Sequence, residues 1–362
     1  MEKNNKDTVI ARIQAEIKRI DKKENDIYFF VIDTKGNPSG SLEYIYKLAL
    51  ILKKNGYSVK MIYQEDEFVG VRDWLGDEYA DLPHEDISKD NVDVSPSDIL
   101  FIPEIFSNVM TQTKKLPCKR IAILQNYDYI LEQIPLAVQW GDLGMMDAIV
   151  NTKRNQDLLQ DSFPYVKSTV ITPYIDPMFG ETNEPKKLIV NIVAKDQRDV
   201  NRIIKPFYWK YPHYKWVSFR DLRGFPKENF SQLLREGAVT IWSDDFTNFG
   251  YSVLEAMKSG SIVVAKIPQN EQDWMVCEDG LNMKNCCVWF DRYEDAHKII
   301  ASVVRSWVTD AVPNVLSEEA KKVNEQFSYE RTEKEFTEYI QKVLENRKDE
   351  MNKMIVTIKS QS

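Results

Sequence analysis

Cysteine and histidine are scarce in this chain, and the shortage excludes several chemistries. The four cysteines, Cys118, Cys277, Cys286 and Cys287, show no C-x-x-C spacing, and the three histidines, His84, His213 and His297, lie far apart. Neither a zinc site nor a disulfide framework is expected. No stretch approaches the roughly eighteen uncharged apolar residues of a membrane span. The N-terminus has no apolar run leading to a small-residue cleavage site, which reads as a cytoplasmic protein. Positive charge is also short, with 48 Lys and Arg against 56 Asp and Glu, a formal net charge of −8. General nucleic-acid binding, which needs clustered cations in excess, is excluded. Any anionic ligand must be caught locally.

What is present is enough for substantial cores. The 362 residues exceed one ordinary core, so two domains of about 150–180 residues are expected. With 43% hydrophobic, 11% aromatic and 29% charged residues, the chain is globular rather than disordered. Residues 1–25 form an amphipathic helix, with Ile10, Ile13, Ile17 and Ile20 at helical spacing. Seven Lys/Arg and five Asp/Glu accompany them, a balance that does not favour a membrane. A peripheral contact at an anionic membrane, a partner helix and the capping of its own domain all stay open.

From Asp26 onward, short runs rich in Val, Ile, Phe and Tyr alternate with helical patterns: "DIYFFVID", "SVKMIYQE", "DILFIPEI", "KRIAILQN", "DAIVNT" and "STVITPYI". Alternation of this kind predicts a parallel sheet with crossover helices over 26–175. The polar passage at 176–187, "DPMFGETNEPKK", reads as a linker. The alternation restarts over 188–328 with "KLIVNIVA", "KWVSF", "AVTIWS", "SIVVAK" and "CCVWFD", separated by helices near 199–210, 227–236, 250–259 and 293–309. The fold class is therefore α/β, with two Rossmann-like doubly wound domains facing a central cleft. Ligands of open α/β sheets bind beyond the carboxyl ends of the strands.

Two strand-to-helix loops carry chemistry. In "DTKGNPSGSLEYIYKLALILKKNGYSV", Gly40 and Ser41 open an amphipathic helix, where unpaired backbone N–H groups and the helix dipole welcome an anion or a sugar hydroxyl. The bland alternative makes Ser39 an N-cap and Gly36 and Gly40 turn residues. In "DDFTNFGYSVLEAMKSG", a helix begins near Gly250, and the amides of Gly250, Tyr251 and Ser252 form a cradle for a diphosphate. Helical side chains lean toward the N-terminus, so Glu255 points back at that ligand, within reach of a ribose. Its alternative is a polar stripe, Ser252, Glu255 and Ser259, facing water.

The stretch "TNFGYSVLEAMKSGSIVVA" resembles the signature of retaining GT-B glycosyltransferases, family 4 in particular, whose pattern reads E-G-F-G-x-x-x-L-E-A-M-A-x-G-x-P-V-V. Phe249, Gly250, Leu254, Glu255, Ala256, Met257, Gly260, Val263 and Val264 match. "SGSLEYIYKLALILKKNGYSV" is similar to that family's N-terminal glycine loop and helix. "FSYERTEKEFTEYIQKVLE" looks like its closing helix, so residues 329–362 are expected to pack back on the N-terminal domain. The resemblance spans about residues 27–345. It implies a retaining glycosyltransferase, metal-independent and hexosyltransferase-type, without a cofactor. Its donor would be a nucleoside diphosphate sugar, and its acceptor a glycan, lipid-linked or other sugar.

Carried over residue by residue, the resemblance implies that Glu255 holds the donor ribose. The amides after Phe249 and Gly250 would hold the diphosphate, and Gly40 and Ser41 the phosphates and sugar. Where the family places a glutamate on the transferred sugar, this chain has Thr247; a hydroxyl still hydrogen-bonds, but charge-assisted bonds are about twice as strong. Of the residues after "KLIVNIVA", Lys195 and Arg198 are assigned the basic pair that stabilises the departing diphosphate, with Arg202 the other contender. Leu222, Arg223 and Gly224 flank the base. Departures at Thr247 and in the basic pair keep a second reading open, a GT-B scaffold that has lost catalysis and acts as a partner or regulator. An epimerase of similar fold would need a histidine in the cleft, which three scattered histidines do not supply.

Gln125, Asn126 and Tyr127, at a strand's carboxyl end in the N-terminal domain, mark the acceptor side, with Asp128 read as a helix cap. The acidic stretch from Tyr63 to Asp93 reads as a surface loop with a solvated His84. Cys286 and Cys287 are assigned to a strand, on alternate faces. The aromatic and aliphatic residues of 289–307 read as core packing.

Overall fold

The computed structural model describes residues 2–89, 92–275, 286–312 and 314–360. The chain divides into two compact units. One comprises Met1–Arg72, Gly76–Thr172 and Thr332–Ser362, the other Asp73–Leu75 and Pro173–Arg331.

The first unit is built on a seven-stranded sheet: β1 (Asp26–Phe30), β2 (Ser58–Tyr63), β3 (His84–Asp86), β4 (Ile99–Pro103), β5 (Lys119–Leu124), β6 (Asp147–Val150) and β7 (Lys167–Val170). Every pairing is parallel, and the spatial order is β3-β2-β1-β4-β5-β6-β7. Parallel strands have both faces covered, so they read as continuous apolar runs, and β4 is buried at all five positions. Phe29 of β1 lies opposite Phe101 of β4, their rings stacked 4.7 Å apart. Phe336, fully buried on the closing helix Tyr329–Ser360, packs against Phe101 at 5.9 Å. Two bonds pin that helix further: the amide of Thr172 donates to Glu335 at 2.7 Å and Arg347 Nε to the Pro96 carbonyl at 2.9 Å.

At the other terminus, helix Glu2–Asp21 is held at its last turn, where Ile20 is buried and Arg19 pairs with Asp98 at 3.2 Å. That turn caps its own domain. No helix among the described residues is long and apolar enough to cross a membrane.

Several sequence expectations for this unit need correction. Helix Gly40–Lys54 is not amphipathic in its exposure: every residue from Leu42 to Leu52 is buried, including Glu43 and Lys47. A helix covered on all sides belongs to a core. The acidic stretch is no simple surface loop either, since it contributes the edge strand β3 and buries Tyr79 and Leu82. His84 is half-buried, its Nε2 2.7 Å from the Tyr46 hydroxyl and its Nδ1 2.6 Å from the Leu82 carbonyl. Burial lowers its pKa. Asn126, rather than Asp128, caps helix Tyr127–Gln133, accepting from the Asp128 amide at 3.1 Å.

The second unit has a five-stranded parallel sheet: β8 (Lys187–Ala194), β9 (Ser218–Asp221), β10 (Gly237–Ser243), β11 (Ile262–Lys266) and β12 (Val288–Phe290), in the order β12-β11-β10-β8-β9. Helices Gln197–Lys210, Lys227–Glu236, Tyr251–Lys258 and Tyr293–Val308 connect or flank these strands, close to their expected spans. Residues 176–187, read as a linker, lie inside this unit: Phe179 is fully buried and Asp176 pairs with Lys227 at 3.1 Å. Cys286 and Cys287 fall before β12 rather than in it; both are buried, and Cys287 Sγ is 3.7 Å from Met257 Sδ. Cys277 lies outside the described residues.

Candidate functional site

In each sheet the strand order reverses once. The first sheet grows from β1 through β2 to β3 on one side, then resumes with β4 on the other; the second runs from β8 to β9, then resumes with β10 on the opposite side of β8. Crevices for ligands open at such switch points, beyond the carboxyl ends of the strands. The switch points lie between β1 and β4 and between β8 and β10. Only the loops after those four strands need be considered first.

After β10 the chain passes through Asp244–Phe249 to Gly250, which caps helix Tyr251–Lys258 in a left-handed conformation, φ +83°. A Cβ there would lie 2.9 Å from both Trp274 Cζ2 and Met275 Cε, while Trp274 Nε1 donates to the Phe249 carbonyl at 2.9 Å. Glycine is thus demanded by backbone angle and by the indole, a reason absent from the local sequence. Gly250→Ala combines a left-handed alanine with overpacking and is expected to destabilise the protein by about 2–3 kcal/mol. Denaturant titration checks this, and Trp274→Leu in the same background should restore part of the loss.

Glu255, one turn into that helix, is 6% exposed, and Ser259 is buried with its hydroxyl donating to the Glu255 carbonyl at 2.8 Å. The water-facing stripe is therefore ruled out for both. Phe249 is buried and meets Phe327 edge-on at 5.3 Å; Tyr251 is buried and Ser252 half-buried. Thr247 is held by its backbone: its amide donates to Asn270 Oδ1 at 2.9 Å, and its carbonyl accepts from Asn270 Nδ2 at 2.8 Å and Gln272 Nε2 at 3.3 Å. Both clamping residues are buried. Sequence reasoning missed them, because they lie beyond the next strand and carry no motif.

From the neighbouring loop after β8, Lys195 reaches across the switch point. Its Nζ lies 2.8 Å from Asp244 Oδ1 and donates to the Phe246 carbonyl at 2.6 Å. Burial raises the Asp244 pKa, against the pull of Lys195. Arg198 is exposed, 3.5 Å from Asp196, and Arg202 lies 3.6 Å from Asp199. Of the three cations, Lys195 is the one that contacts the loop leading to Gly250 among the described residues. Leu222, after β9, is buried and donates its amide to Ile192 at 2.9 Å; Arg223 is held by Asp221 and Gln197. Gly40 and Ser41 belong to the first unit, at the start of the helix capped by Ser39, whose Oγ accepts from the Leu42 amide at 3.3 Å.

The first unit's switch point holds a residue the sequence reading overlooked. Glu104, directly after β4, is 3% exposed, and its Oε1 accepts from the amides of Gln125 and Asn126, each at 3.0 Å. Burial pushes its carboxyl up to about 7, against the lowering effect of those amides. An unfolded glutamate titrates near ~4.3, so between these values the native state keeps a proton that the unfolded chain has released. Stability from this group is fullest at acid pH, falls as pH rises from about 4 to 7 by a total of order 3 kcal/mol, and is level above. Chemical melts at pH 5 and 7.5 should show that decline in the wild type and not in Glu104→Gln. Among the described residues, no three His, Cys, Asp or Glu side chains gather as metal ligands.

No family model matches the chain. Over 188 residues it is 23% identical to the alpha-1,6-glucosyltransferase of Actinobacillus pleuropneumoniae serotype 7 (strain AP76), a match covering 49% of this chain and 55% of that protein. The chain thus spans about half the length of that curated relative. Among solved structures, the sucrose-phosphate synthase of Thermosynechococcus elongatus superimposes with a TM-score of 0.62 at 12% identity, covering 89% of this chain and all of that one. The protein has the GT-B fold. The pneumococcal O-GlcNAc transferase GtfA, solved in complex with UDP and GlcNAc, shares this GT-B architecture with a TM-score of 0.61, 12% identity, and 89% and 99% coverage.

Proposed function

We propose that this GT-B protein is a retaining glycosyltransferase that moves a sugar from a nucleoside diphosphate donor to a glycan, lipid-linked or other acceptor. The observation that carries the proposal is Glu255: a buried carboxylate on the helix that Gly250 opens, beside the switch point of the second sheet. Helix starts leave N–H groups without helical acceptors and favour a diphosphate, and a carboxylate one turn further on takes the two hydroxyls of the attached ribose. Lys195 meets the departing diphosphate, exchanging Asp244 for phosphate oxygen, a reading that its contacts with Asp244 and the Phe246 carbonyl support. In the retaining step the donor's C1–O bond breaks, the acceptor oxygen bonds to C1 on the same face, and the acceptor's proton passes to the departing phosphate oxygen. No protein base is then required. Thr247 contacts the transferred sugar as a neutral group, and Arg198, after β8, adds charge. Leu222 and Arg223 flank the base.

A cytoplasmic location, with the N-terminal helix available for peripheral membrane contact, belongs to the same proposal. The fold shared with the UDP complex of GtfA supports UDP as the first nucleotide to try. In a thermal-shift panel of UDP, GDP, ADP, CMP and dTDP, one should raise the melting temperature, since a ligand of the native state adds RT ln(1 + [L]/Kd) of stability. The shift and the turnover should survive EDTA. Stabilisation by none of the five would favour the second reading, a non-catalytic GT-B scaffold, to which Thr247 in place of a carboxylate lends support.

A further inference from the structure

Between Val200 and Phe219 the chain carries Arg202, Lys205, Lys210 and Lys215 and no Asp or Glu, in a protein whose formal net charge is −8. The same stretch contains "PFYWKYPHYKW". Of the eight tryptophans, only Trp209 and Trp216 stand largely in solvent, 74% and 56% exposed. Helix Gln197–Lys210 buries Val200, Ile203 and Phe207 and turns Lys205 and Trp209 outward. Phe207 braces the turn that follows: its ring stacks on Tyr214 at 5.8 Å and meets Phe219 of β9 edge-on at 5.1 Å. The Tyr208 hydroxyl donates to the Val217 carbonyl at 2.6 Å, which holds the backbone next to Trp216 beside the last turns of the helix. Two indoles and three lysines thus crowd one braced end of the second unit. We propose that this end docks the protein on an anionic bilayer surface.

Charge and polarity select that occupant. Asp199 and Asp221, the acids that bracket the stretch, are held by Arg202 and Arg223. Lys205, Lys210 and Lys215 form no ion pair among the described residues, so their charge is left for an outside partner. Acidic lipids attract lysines held near their surface, and an indole, apolar in body with one N–H donor, settles at headgroup level. The hollow beside Trp209 is walled by residues of this one helix, which makes it a groove on a raised face rather than a cleft enclosing a small ligand. A neutral glycan stacked on the indoles would need amides and carboxylates around it, and the stretch supplies Asn201 alone. β8 and β9 run parallel, so the helix between them carries the chain from the carboxyl end of one to the amino end of the other. Trp209, Lys210 and Trp216 therefore lie at the end of the sheet opposite the Gly250 loop, and docking leaves that loop uncovered.

The inference stands apart from the glycosyltransferase reading and from the N-terminal helix. Full-length protein is floated with vesicles of phosphatidylcholine alone and of phosphatidylcholine mixed with phosphatidylglycerol, at low and at high salt. It should bind the mixed vesicles, ignore the neutral ones and come off in high salt. Each lysine near such a surface contributes about fivefold in binding, so Lys205→Glu with Lys210→Glu should weaken it about twentyfold or more. Trp209→Ser with Trp216→Ser should also weaken binding, and should abolish the quenching of tryptophan emission by brominated lipid. All four side chains are exposed, so both double variants should melt as the wild type does. The proposal is overturned if neither vesicle is bound, if both are bound alike, or if either double variant binds as the wild type does, which would move the contact to another surface. Binding to heparin without binding to vesicles would overturn it too, assigning this face to an anionic polymer.

Discussion

Glu255→Ala is expected to lower kcat/KM for the sugar-nucleotide donor by about 10²–10³-fold, or ~3–4 kcal/mol, and to abolish most of the thermal shift given by its nucleoside diphosphate. The carboxylate is buried, so in the proposed donor site its bonds to ribose hydroxyls would be made out of water, where charge-assisted pairing is strongest. Glu255→Gln keeps the shape and loses the charge, and should fall between wild type and alanine. The helix carrying Glu255 is short, Tyr251–Lys258, so each variant's melting temperature without ligand must be measured alongside. An alanine variant that melts normally and turns over donor like the wild type would remove Glu255 from the donor site.

The second large effect is on stability. Lys47 Nζ lies 2.6 Å from Glu43 Oε1, with side chains only 2% and 8% exposed. On a surface this i,i+4 pair would contribute about 0.3–0.5 kcal/mol. Buried, its loss is another matter: Glu43→Ala leaves an ammonium group inside the first unit, and about 3–5 kcal/mol of stability should go with it. At about 2–4 °C per kcal/mol for a unit of this size, its melting temperature should drop by roughly 10 °C. Glu43→Leu combined with Lys47→Met should recover most of that, because neither charge then remains to be desolvated. A single-variant loss of about half a kcal/mol, the surface value, would show the pair to be solvated.

Much of the architecture was legible locally. "DILFIPEI" and "KLIVNIVA" read as strands because parallel strands are covered on both faces, and they became β4 and β8. The helix expected near 250–259 runs Tyr251–Lys258. Errors arose where burial overrode pattern. The helix after Ser39 shows polar residues at regular spacing, yet Glu43 and Lys47 turn out buried because they neutralise each other. His84 sits among acidic residues that look solvated, and was placed by pairing with β2 instead.

Glu104 marks the limit most clearly: nothing in "DILFIPEIF" distinguishes it from a solvated loop carboxylate. Its neighbours Gln125 and Asn126 come from the turn after the next strand, and Gln125 in turn reaches Ser41, 84 positions away.

By itself the sequence determined two parallel α/β units, the glycine-led helix with Glu255, and the shortage of metal and nucleic-acid ligands. Those follow from period, composition and spacing, which act over a turn or a pleat. Tertiary structure alone decided the order of the strands and therefore both switch points. That order brought Lys195 against Asp244, Asn270 against Thr247, and Glu104 against the Gln125 amide. The physical reason is that burial of the whole sheet selects which strands lie side by side, and a side chain's neighbours across that sheet leave no periodic trace in the chain that carries it.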